Sequence, residues 1–138
     1  MPTIERSLMI PGSDCLTHRI RVIVHSTFVP KHSRPKDNRY TFTYQIRIVN
    51  EGDTGARLLR RHWVITDALG RVEEVRGDGV VGKQPHLTPG RIHDYTSVCP
   101  LETPFGTMRG TYEFERDDGT LFNAEIGEFS LIATPVLS

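Results

Sequence analysis

Cysteine is scarce in this chain. Cys15 and Cys99 are the only two, far apart and outside any CxxC pattern. That excludes a disulfide-dense scaffold and a thiolate zinc knuckle. An excess of one charge is also missing: 17 Lys and Arg balance 17 Asp and Glu. No global electrostatic footprint for nucleic acid or an anionic membrane surface results, so neither is expected as a partner. No segment approaches the roughly 20 apolar residues of a membrane helix. The opening MPTIERSLMIPGSD lacks the apolar run of a signal peptide, which makes a cytoplasmic location the expectation.

Catalytic signatures are missing as well. There is no GxSxG, no HExxH and no cysteine in an activating context. The histidines at 18, 25, 32, 62, 86 and 93 are scattered, none with a second ligand at metal-binding spacing, so no metal and no cofactor are expected. Glu73 and Glu74 are adjacent, and on a strand they point to opposite faces and cannot form an acid/base pair. A hydrolase would have to assemble its site from distant residues; the expectation is a protein that is not an enzyme.

What the chain does have is period-two alternation. Residues 17–29 alternate Ile20, Val22 and Val24 against Arg19, Arg21 and His25, a β pattern with β-branched content. The polar stretch PKHSRPKDN then reads as an exposed loop. In residues 40–50, Tyr40, Phe42, Tyr44, Ile46 and Ile48 share one face. Residues 56–66, ARLLRRHWVIT, place Leu59, Arg61, Trp63 and Ile65 on one side and Leu58, Arg60, His62 and Val64 on the other. Both faces are therefore partly covered, or a bulge shifts the register midway. Short strands are expected at 72–75 and 91–98, followed by a closing hairpin at 107–116 and 120–132 with a phase change near Gly127. Pro100 and Pro104 mark an edge or crossover. Residues 1–16 carry Pro11-Gly12 and no periodicity, and are read as a flexible tail before a single domain at 17–138. About seven or eight short strands with no convincing helix give an all-β, antiparallel β-sandwich.

The one site-like expression is GxGxxG at Gly77, Gly79 and Gly82. In a dinucleotide fold those glycines precede a helix whose N-terminus holds the pyrophosphate. Here Pro85 and Pro89 follow closely and remove that helix. The glycines then shape a tight β loop, or their successive amides form an anion nest without a helix. In the second case Lys83, Arg60 and Arg61 would supply countercharge. Trp63 is read as the central core aromatic, with ligand stacking as the lesser alternative.

The runs LLRRHWVITDALG, VEEVRGDGVVGKQPHLTPG, YTS and LETPFGTMRGTYEF together resemble the ApaG family, over about residues 20–131. Val98 departs from the glycine usual after YTS, and Gly127-Glu128 from the usual proline region. The resemblance implies a fibronectin type III or immunoglobulin-like sandwich with no established catalysis. It also implies a bacterial role linked to cobalt resistance and magnesium efflux, and a genetic neighbourhood concerned with diadenosine tetraphosphate hydrolysis. Similar domains attached to F-box proteins and to a polymerase-interacting protein imply protein binding, and the glycine motif has been called a pyrophosphate signature. The expectation is therefore a protein-binding module with an unidentified protein partner. The alternative is a pyrophosphate or dinucleoside polyphosphate ligand at the glycine loop. The oligomeric state stays open at this point.

Overall fold

Period-two patterning leads to strands wherever it was read. The computed structural model describes residues 10–134, in nine strands: β1 Gly12–Thr17, β2 Ile20–Phe28, β3 Tyr40–Asn50, β4 Ala56–Asp67, β5 Val72–Asp78, β6 His86–Leu87, β7 Ile92–Leu101, β8 Phe105–Arg116 and β9 Leu121–Ile132. All pairings are antiparallel. One sheet has the order β1-β2-β3-β7, the other β5-β4-β8-β9, with β6 attached to β4. The PKHSRPKDN loop holds two single 3-10 turns, Pro30–His32 and Pro35–Asp37.

The two inner faces meet in one core. Val22 and Val24 from β2, Phe42, Ile46 and Ile48 from β3, and Tyr112, Phe114, Ile126 and Phe129 from β8 and β9 are all buried. Burial of each such side chain stabilises the fold by roughly 1.5–3 kcal/mol. Trp63 sits centrally, its ring 5.3 Å from Tyr44, 6.4 Å from Tyr112 and 6.0 Å from Phe129. The edge-to-face angles suit aromatic quadrupoles.

Two bulges keep apolar residues inward. On β4 the pairing with β8 jumps between Leu58 and Arg60, so Leu58 and Trp63 face the core despite an odd separation. On β9, Gly127 and Glu128 together oppose Arg109, which restores Phe129 and Leu131 to the inside.

The expected flexible tail at 1–16 needs correction. Gly12–Thr17 is a strand, turned back onto β2 through His18 and Arg19 at φ 48° and 70°. Pairing with β2 and hydrogen bonds to β9 hold it, not apolar periodicity: the Ser13 hydroxyl donates to the Gly127 carbonyl at 2.7 Å and, just ahead of the strand, the Ser130 amide donates to the Ile10 carbonyl at 2.6 Å. Residues 1–9, and 135–138 of the expected domain, lie outside the described residues. The strand count exceeds the expected seven or eight through β1 and the two-residue β6.

Candidate functional site

Strand β5 runs three residues past its expected end and carries Gly77 into the sheet opposite Arg61. A Cβ at Gly77 would lie 2.7 Å from the Arg61 guanidinium, so this glycine makes room for a side chain. Arg61 shares the inner face with Trp63, and its Nη1 donates to the carbonyls of Asp78 at 2.9 Å and Gly79 at 3.0 Å. Gly79 has φ 63°, and a Cβ there would fall 2.2 Å from the Lys83 carbonyl. Val80 and Lys83 exchange both main-chain bonds, at 2.7 and 3.0 Å, around Val81 and Gly82 at φ 47° and 76°. Positive φ at both central residues makes this a two-residue type I′ hairpin. No helix follows; Pro85 accepts from the Leu58 amide, and His86–Leu87 pairs with Ala56 and Arg57.

The loop's amides are largely committed. Those of Gly79, Val80 and Lys83 donate to the carbonyls of Leu59, Lys83 and Val80. Of the two arginines expected as countercharge, Arg61 lies beneath the loop, bound to carbonyls. Arg60 lies on the outer face, in contact with Glu113 and 3.8 Å from Asp78. It lines a shallow depression of about 440 Å³ together with His62, Arg76 and Asp78, where charges of both signs alternate. Lys83 enters no ion pair among the described residues. Its charge lies close enough to His93 to reinforce the effect of burial, and together they lower the pKa of that imidazole. Thus Gly77, Gly79, Gly82, Lys83 and Arg61 come together at one loop, and Arg60 reaches the loop's Asp78 from the outer face, in a depression that Arg61 and Gly77 also line.

Among the described residues there is no group of three or more His, Cys, Asp or Glu placed to hold a metal. None of their helices is long and apolar enough to cross a membrane.

On the inner face, the hydroxyls of Tyr95 on β7 and Tyr112 on β8 are hydrogen-bonded to each other. Burial pushes both phenols up, and the Tyr112 ring is fully buried. Cys99 lies on the same inner face, and burial, with Glu73 adding repulsion, pushes its thiol up to about 12. These groups are built to stay neutral.

The strand expected at 91–98 and the edge expected at Pro100 are one outer strand, β7, whose residues 92–98 the sequence analysis did not single out as a binding surface. Among the described residues its sole strand partner is β3. The Asn50 amide donates to the Arg91 carbonyl at 3.1 Å. Carried along the unbroken register, that phase turns the main-chain groups of His93, Tyr95, Ser97 and Cys99 toward β3. Those of Ile92, Asp94, Thr96 and Val98 face outward. Pro100 has the outward phase too, so its missing N–H costs the ladder nothing.

Ile92 is 49% and Val98 57% exposed. No lysine, proline or bulge interrupts residues 92–99. The other edges are guarded: β5 carries Glu73, Glu74, Arg76 and Asp78, and β1 and β9 bond to each other across the sheets. A run of outward-phase residues free of lysine and proline is the sequence signal that marks such an edge.

With this geometry in place, comparison with known proteins identifies relatives over most of the chain. The ApaG domain profile matches residues 30–116. Protein ApaG of Anaeromyxobacter dehalogenans (strain 2CP-C) is 53% identical over 120 residues, 87% of this chain and 94% of the relative. Protein ApaG of Paramagnetospirillum magneticum is 53% identical over 115 residues, 83% and 88% of the two chains. The crystal structure of the putative ApaA protein from Bordetella pertussis superposes with a TM-score of 0.82 at 44% identity, covering 93% of this chain and 99% of that one.

Proposed function

The chain belongs to the ApaG family, and from that premise we propose that it is a non-enzymatic protein-binding module, working in the cytoplasm, that takes up an extended segment of a partner along β7. The observation that carries this reading is the unguarded β7 edge, with outward main-chain groups from Ile92 to Val98 and two exposed apolar side chains. An added strand would find main-chain hydrogen bonds for affinity and alternate side-chain contacts for specificity. A shallow depression of about 480 Å³ lined by Ile23, His25, Gln45 and Thr96 adjoins the middle of the strand on the outer face. The cobalt and magnesium phenotypes implied by the resemblance would then run through the bound partner.

Peptides selected from a displayed library on the native protein test this reading. Thr96→Pro removes one outward N–H without touching the β3 ladder, so binders should lose at least tenfold in affinity for that variant. Equal affinity for both proteins sinks the proposal.

A second reading, a pyrophosphate or dinucleoside polyphosphate at the glycine loop, rests on Lys83, free of ion pairs among the described residues. It also uses the amides of Val81 and Gly82, which lie at the tip outside the turn's own hydrogen bonds. Amide shifts clustered at 81–83 on titration with pyrophosphate would support it. Their absence at millimolar ligand removes it.

A further inference from the structure

Resting on the edge-docking reading, we propose that one occupant of the β7 edge is a second copy of this chain, the two β7 strands pairing antiparallel about a twofold axis at Tyr95. The inference comes from the order of side chains along the edge. Strand pairing between two copies requires outward-phase residues to face outward-phase residues. Those are Ile92, Asp94, Thr96 and Val98. Only a few registers satisfy this, and they differ sharply.

With the axis at Asp94, two carboxylates stand directly opposite each other, which is unfavourable. With the axis at Thr96, Asp94 faces Val98 and Ile92 faces Pro100, which has no N–H to give. With the axis at Ser97, Asp94 itself faces Pro100. With the axis at Tyr95, Ile92 faces Val98 and Asp94 faces Thr96, each pair occurring twice. Every outward group from 92 to 98 is then matched, Pro100 lies beyond the ladder, and the exposed apolar side chains cover one another.

Charge does not oppose this register. Asp94 is already held by Arg47, whose Nε and Nη2 donate to its two carboxylate oxygens at 2.9 and 3.0 Å. It therefore brings no bare charge to the seam. The inner side of β7 is equally prepared, since the Tyr95 hydroxyl is satisfied by Tyr112. The product is one continuous eight-stranded sheet, β1-β2-β3-β7 from each copy joined across the twofold. A closed pair leaves neither copy with an open β7 edge, so self-pairing also guards the edge against uncontrolled addition. Any other partner strand must displace the second copy.

Sedimentation across a concentration series up to millimolar protein tests the proposal. The native chain should be dimeric. Thr96→Pro and Val98→Lys should shift the dissociation constant at least tenfold toward monomer, with unchanged circular dichroism. Two variants guard against a fold defect in one. Register is read separately by oxidative cross-linking in a Cys15→Ser background. There Ile92→Cys combined with Val98→Cys should give a covalent dimer, because directly opposed residues in a hydrogen-bonded pair stand at disulfide distance. Thr96→Cys alone should not.

A native chain that stays monomeric at millimolar concentration overturns self-pairing. So does a dimer that tolerates both edge variants, or cross-linking through Thr96→Cys alone. The edge-docking reading fails on a different result, peptide binders that ignore Thr96→Pro, so the two failures are distinguishable.

Discussion

Val81 is a β-branched residue at φ 47° in the first central position of a type I′ turn. That backbone costs an ordinary residue about 1–2 kcal/mol and suits asparagine better. Val81→Asn should therefore raise stability by about 1 kcal/mol, read as a higher denaturation midpoint. The neighbouring glycines predict a graded series. Gly82→Ala meets open space and pays only for φ, about 1 kcal/mol. Gly79→Ala pays for φ and also collides with a main-chain carbonyl that cannot swing away, so it should cost more than Gly82→Ala, roughly 2 kcal/mol or above. Urea titration of both variants checks the order; an equal cost would show that the Gly79 contact relaxes freely.

His93 supplies the pH dependence at this scale. Burial, helped by Lys83, lowers its pKa below the ordinary value, while Asp94 opposes the shift. The unfolded chain then binds the proton more readily than the folded one. The stabilisation is fully present above about pH 6.5 and is lost as the pH falls toward the depressed folded value. Melting temperature should accordingly decline on mild acidification, and His93→Gln should flatten that part of the profile.

Among elements, β4 shows how far the sequence could be read. Its two mixed faces already called for a bulge or double burial, and the bulge beside Leu59 is what reconciles Leu58 with Trp63. Deleting Leu59 would remove the extra residue and force either Leu58 or Trp63 out of the core. We expect the deletion variant to lose cooperative unfolding by calorimetry, because a one-residue slip turns a whole side-chain set to the wrong face.

The strands β2, β3, β8 and β9 were legible because each buries one face of alternating apolar residues. β1 and β6 were not: β1 is a short strand held by a tight hairpin onto β2 and by the Ser13 bond to β9, and β6 is two residues paired with β4, so neither leaves a periodic trace. The candidate loop was half legible: the prolines ruled out a helix after Gly82, but only the geometry shows Arg61 beneath Gly77 and Arg60 turned outward beside Glu113. Pro100 already marked an edge or crossover, but that residues 92–98 form an open edge follows from the order of β7 in its sheet, which local pattern does not encode.

At the scale of the whole molecule, one bond between the segment leading into β1 and the last strand, β9, has a topological consequence. The Ser130 amide and the Ile10 carbonyl are joined at 2.6 Å, and the glycine loop lies at the far end of the sandwich. In its described part the fold is thus a nearly closed ring of chain, so the order in which its strands are synthesised is separable from the order in which they pack. A circular permutant with a short linker across that corner and new ends at the exposed Asp118-Gly119 turn should reach the same sandwich. Its far-ultraviolet circular dichroism should match the parent, with a lower melting temperature. Cargo joined at the original corner would stand away from the loop at 77–83.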